Sequence, residues 1–250
     1  MRIEPKDKLI IHADITGNNM LKKLLFIITT AMVLVSSYLV FTSPIPIRIE
    51  NAAGDPINFK IFYFHVPIAI TAYIAFTIVF ISGLVYLKSK NQKWDIIGLS
   101  AAEVGVVFAA LTLLTGSLWG KSAWQVYWNP ADARLNTYMI LFLTYLAYLM
   151  VRSSIDEPEK RARLSAVFSI IGYITVPLSY FSIIIMYRIS SVLQTHPNPA
   201  AVSIGGKDIL VTLFANMIAY ILLCISLILL RVNAETLRED IAKIKMDRNL

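Results

Sequence analysis

Six long apolar runs separated by short polar stretches set the rhythm of the chain. They cover about residues 24–41, 62–87, 96–118, 135–151, 164–187 and 209–230. At ~1.5 Å of rise per residue, each is long enough to cross ~30 Å of hydrocarbon as a helix, the run 135–151 only barely. The pattern predicts an all-α integral membrane protein, a bundle of six transmembrane helices spanning 24–230. A polar lead-in, 1–23, precedes it, and a charged, helix-prone tail, 231–250, follows. In that tail Leu237, Ile241 and Ile244 recur at i, i+4 and i+7, which suits a short helix lying on the membrane surface or against a partner. Pro67 fits the first turn of the second helix and would leave His65 at its mouth. Pro177, near the middle of the fifth run, predicts a kink.

Composition agrees. Hydrophobic residues make up 57% of the chain, the mean hydropathy is +0.65, and 16% of residues are charged; soluble domains carry roughly 25% charged residues. The net charge of +7 would suit a nucleic-acid binder, but its distribution follows membrane topology instead. With the N-terminus inside, the inner segments hold 17 of the 23 Lys and Arg residues and the outer segments 6, the bias of a multi-pass protein of the cytoplasmic membrane with both termini cytoplasmic. The lead-in shows no small-residue cleavage site after a short apolar core and reads as a cytoplasmic segment. Cys224 stands alone inside an apolar run. It permits no intrachain disulfide, no CxxC pair and no CxxCH attachment of haem.

This topology puts three separate stretches on one outer face: His65, the segment 119–134 between the third and fourth runs, and His196 between the fifth and sixth. The segment holds three of the four tryptophans, Trp119, Trp124 and Trp128, with Tyr127 among them and Lys121, Asp132 and Arg134 as charges. Gly120 and Pro130 argue against one uninterrupted helix there. Aromatic faces beside two imidazoles suit a flat, apolar, metal-containing ligand. Lys60, Lys121, Arg134 or Arg188 could pair with carboxylates on it. Haem meets all three requirements. Each residue also has a plainer reading: tryptophans anchor helices at membrane boundaries, a histidine at a helix mouth can be only a polar tip, and Arg134 can be a boundary charge. Glu103, inside the third run, reads best as a protonated structural residue hydrogen-bonded to a neighbouring helix, with part of a polar path as the alternative.

The pattern Trp119-Gly120-Lys121-x2-Trp124-x2-Tyr127-Trp128-x3-Asp132-Ala133-Arg134-Leu135 resembles the tryptophan-rich WWD signature of haem-handling proteins in cytochrome c maturation. Phe62–Ala69, FYFHVPIA, resembles the start of the corresponding helix, and six spans with one such loop resemble the CcmC family. Tyr127 stands where that family commonly has Trp, Pro130 falls where another Trp would, and one extra residue precedes Asp132. The resemblance implies b-type, non-covalently bound haem on the external, periplasmic side. His65 and His196 would be its axial ligands, Trp119, Trp124 and Trp128 its platform, and Tyr127 and Lys121 neighbours of the ring. Asp132 and Arg134 would order the loop or contact acceptor and propionate. Implied partners are a CcmE-like haem chaperone, a CcmAB-like ABC complex and a CcmD-like one-span subunit. The implied role is that of a haem chaperone and transfer protein more than of a classical enzyme. Two alternatives remain at this stage: a bis-His b-type electron-transfer protein, and a transmembrane permease for haem or another solute.

Overall fold

The computed structural model describes residues 5–43, 59–189 and 207–247, and every regular element among them is a helix. These are α1 (Pro5–Thr42), α2 (Lys60–Ser89), α3 (Gln92–Trp124), α4 (Ala133–Ser153), α5 (Pro158–Gly172), α6 (Thr175–Ile189) and α7 (Lys207–Asp247). Six helical stretches are long and apolar enough to cross a membrane: Met20–Thr42, Lys60–Ser89, Gln92–Ser122, Ala133–Ser153, Pro158–Ser182 and Asp208–Ala242. The many large apolar side chains left exposed, such as Ile27, Leu34, Leu114, Met150 and Phe214, are what such a bundle presents to lipid. The chain is a multi-pass helical membrane protein.

The antiparallel pair α2 and α3 forms the centre, with α7 and then α1 on one side and α4, α5 and α6 on the other. Local chemistry makes the central pair tight. Lys90 closes α2 in the left-handed region, its N–H bonded to the Tyr86 carbonyl at 2.8 Å, and Asn91 at once caps α3 by accepting from the Lys93 N–H. The core between helices is aromatic: Phe76 stacks on Tyr145 with centroids 3.7 Å apart, and Phe80 stacks on Tyr173 at 4.3 Å. α1 is held to α7 by polar side chains, Thr29 to Ser226 at 3.0 Å and Asn216 to the Ser36 carbonyl at 3.3 Å.

Pro177 interrupts the fifth span as its position predicts. The chain leaves the helical path at Tyr173 and Ile174, and the Tyr173 carbonyl, which Pro177 cannot serve, accepts from Val176 instead. Pro67 behaves differently. Helix α2 begins at Lys60, ahead of the apolar run, because Phe59, Phe62 and Tyr63 cluster there and Lys60 Nζ donates to the Phe41 carbonyl at 2.6 Å. Pro67 therefore lies inside the helix, and His65 sits more than a turn in from its start. The tail also departs from expectation. Residues 231–247 continue α7 without a break, so Leu237 and Ile241 are exposed on a prolonged spanning helix and not on a separate surface one.

Candidate functional site

Hydrogen bonds identify which helix ends meet. At one end lie the close of α1, the start of α2, the close of α3, the start of α4 and the close of α6. Ser43 contacts Tyr63 and Thr212, His65 contacts Thr115, and Arg134 reaches Tyr180. His65 and the tryptophan segment share that end.

His65 packs against α3 through the ring edge that carries its nitrogens. Its Nδ1 is 2.9 Å from Thr115 Oγ1, and a Cβ placed on Gly116 would come within 3.0 Å of its Cε1. The absent side chain at Gly116 is what lets the imidazole approach the helix. One turn further along α3, at i+4 from Thr115, stands Trp119, on the same helical face. Its ring meets that of Trp124 edge to face, with centroids 5.2 Å apart.

The segment 119–134 is only half a loop. Helix α3 runs through Gly120 and stops at Trp124, where Gln125 takes the left-handed conformation, φ 61°. Gly120 does not interrupt the helix; it makes room for the return of the chain. A Cβ there would lie 3.2 Å from the Val126 carbonyl and 3.3 Å from the Trp124 ring. Lys121 finishes α3 by donating to the Gln125 carbonyl at 3.0 Å, and its ammonium lies 5.5 Å from the centroid of exposed Tyr127. Trp128 follows, partly exposed.

A compact turn then delivers the chain to α4. Asn129 Oδ1 accepts from the Ala131 N–H, and Asn136 donates to the carbonyls of Pro130 and Asp132. Asp132 is fully buried and caps α4, Oδ1 accepting from the Leu135 N–H at 2.8 Å. Of the roles open to Asp132, ordering the loop is the one its geometry performs. Arg134 donates through Nη2 to the Tyr180 carbonyl at 2.9 Å, tying α4 to α6, while its Nε is buried with no hydrogen-bond partner among the described residues.

Three cations at this end thus share a habit. Lys60, Lys121 and Arg134 each donate to a main-chain carbonyl, and among the described residues none pairs with a carboxylate. Arg188 is exposed near the end of α6. His196 lies outside the described residues, so its place relative to His65 belongs with the proposals below.

Glu103 ties α3 to a neighbouring helix as expected, but as an ion pair with an arginine and not as a protonated carboxyl. Arg231 of α7 grips it through two nitrogens, Nε to Oε2 and Nη2 to Oε1, the latter at 2.9 Å. Thr115 and Gly116 also escaped the sequence reading. Their only signal is spacing: they precede Trp119 and Gly120 by one helical turn.

Comparison with known proteins gives the chain's relatives. The CcmC family model, described as heme exporter protein C, matches residues 13–247. Similar proteins include heme exporter protein C of Bradyrhizobium diazoefficiens, 34% identical over 192 residues that cover 75% of this chain and 70% of that one. The protein of the same name in Paracoccus denitrificans is 27% identical over 195 residues, covering 76% and 78%. A ccmC-like mitochondrial protein of Marchantia polymorpha, named for cytochrome c biosynthesis, is 34% identical over 126 residues, half of each chain.

Proposed function

The chain belongs to the CcmC family, and from that premise we propose that it handles haem for cytochrome c maturation. It binds haem at the bundle end bearing His65 and the tryptophans, and presents it to a CcmE-like chaperone. The observation that carries this reading is His65 held against α3 one turn from Trp119, with the Trp119–Trp124 pair beside it. The residues suit the group. An imidazole anchored through Nδ1 coordinates iron through Nε2, the common arrangement for a histidine ligand. Indole faces suit a porphyrin. Cations bonded to carbonyls suit propionates, since a carboxylate exchanges a neutral acceptor for a charged one. Haem when bound supplies an iron able to take two axial ligands; this chain's residues hold, orient and shield it.

In this reading His65 and His196 are the axial ligands, and the haem is b-type and non-covalent. Trp119, Trp124 and Trp128 form the platform, with Tyr127 and Lys121 at its edge. Arg134 meets a propionate, and Asp132 keeps the loop in register. The site faces the periplasmic side of the cytoplasmic membrane, where a CcmE-like acceptor collects the haem; CcmAB-like and CcmD-like subunits assist. The relatives' names, heme exporter protein C and a ccmC-like protein of cytochrome c biosynthesis, support a haem-handling role over that of an electron carrier.

Haem titration of the detergent-purified chain tests it. The Soret and α/β bands should show six-coordinate bis-histidine iron. His65→Ala and His196→Ala should each weaken binding at least tenfold, and the pair together should remove those bands. Unchanged bands in the double variant would refute the ligand assignment, and haem that never passes to a CcmE-like acceptor would refute the transfer role.

A further inference from the structure

We propose that Thr115 is a positioning residue for His65, keeping the imidazole proton on Nδ1 and so the lone pair on Nε2. The inference rests on the functional reading above and adds a residue that neither the tryptophan signature nor the histidines point to.

The hydrogens around Thr115 decide the matter. Its hydroxyl has one proton and three neighbours: the Leu111 carbonyl at 2.8 Å, the Thr112 carbonyl at 3.2 Å and His65 Nδ1 at 2.9 Å. A helical threonine donates back to the carbonyl four residues earlier, and this chain does so repeatedly: Thr77 to Tyr73, Thr112 to Phe108, Thr137 to Ala133 and Thr144 to Ile140, all at 2.7–2.9 Å. With the Thr115 proton spent on Leu111, its oxygen can only accept from the imidazole. Nδ1 is then the protonated nitrogen. The same arrangement recurs one turn earlier, where Thr112 donates to Phe108 while Tyr138 donates into its oxygen at 3.1 Å. Gly116 completes the cradle, for the edge of the ring carrying both nitrogens lies over it, Cε1 at 3.0 Å, Nδ1 at 3.7 Å and Nε2 at 3.9 Å from where a Cβ would be.

The consequence is chemical. A neutral imidazole coordinates metal through its unprotonated nitrogen, and the bond made by the other nitrogen sets which one that is. Loss of the Thr115 oxygen removes the acceptor that holds the proton on Nδ1, and the ring can then exchange tautomers. Loss of such an outer partner costs metal affinity about 10- to 100-fold.

The full-length protein in detergent, with 15N-labelled histidines and His65 assigned by comparison with His65→Ala, gives a readout that needs no haem. Wild type and Thr115→Ser should both show His65 as the Nδ1–H tautomer. Thr115→Val, similar in shape but without the oxygen, should show a mixture or the Nε2–H form. In parallel haem titrations, Thr115→Val should bind about 10- to 100-fold more weakly and Thr115→Ser within a few-fold of wild type. A Thr115→Val protein that keeps the Nδ1–H tautomer, or binds haem as wild type does while His65→Ala does not, overturns this inference alone. A His65→Ala protein that still binds haem normally overturns the functional reading and the inference with it.

Discussion

The two ends of the bundle treat positive charge in opposite ways. Where α3 begins and α4 finishes, Arg152 is buried against Asp95, two nitrogens on two oxygens at 2.6 Å each, and nearby in α3 Glu103 is gripped by Arg231. Arg231 also lies within 3.4 Å of Glu235. At the other end Lys60, Lys121 and Arg134 donate to carbonyl oxygens, with the Phe41 and Tyr127 rings beside the two lysines. Carboxylate pairing uses up charge in holding helices together. Carbonyl pairing holds a side chain still while leaving its charge to act on something else. On the proposed reading, the contrast separates a structural end from one that receives haem.

The largest effect that would expose this difference is Asp95→Asn. It strands a guanidinium whose side chain is 8% exposed, and breaking a buried pair in this way costs about 3–5 kcal/mol. The melting temperature in detergent should fall sharply, while the haem spectrum per folded molecule stays as it was. Arg134→Gln should do the reverse. Stability should change little, and haem affinity should fall about 10- to 150-fold, since a hydrogen bond to a charged group contributes about 1.5–3 kcal/mol. Haem dimethyl ester, whose propionates carry no charge, should bind the variant and the wild type alike. Should Arg134→Gln melt as early as Asp95→Asn, the two ends would not differ in kind. The smallest effect is expected of Glu103→Gln, whose ion pair is about one-third exposed. Such pairs contribute about 1 kcal/mol or less, so a small shift in melting temperature with unaltered haem binding should result.

The six spans were legible because uniformly apolar runs leave little else for a chain to do. The break at Pro177 was legible because a missing N–H acts locally. What escaped the sequence was set by neighbours distant along the chain. Glu103 finds Arg231, 128 residues away, and His65 finds Thr115, 50 residues away. Gly120 pointed to a helix end when taken alone, but its role comes from Val126 and Trp124 folding back over it. Pro67 looked like a first-turn residue because the helix extends into Lys60 and Ile61, which an aromatic cluster and the Phe41 carbonyl secure. His65 and the tryptophan segment were visible as chemistry. Their common end of the bundle follows from the count of spans, and their separation within it does not.

Trp119 and Trp124 belong to the last turns of α3 and not to a free loop. Two indoles carried on a helix forfeit little motion when something docks on them, because folding has already frozen their backbone. Such a surface can grip through contact alone, with no rearrangement to undo on departure. On the proposed reading, that is the mechanical profile of a counter across which goods are passed rather than of a vault in which they are kept.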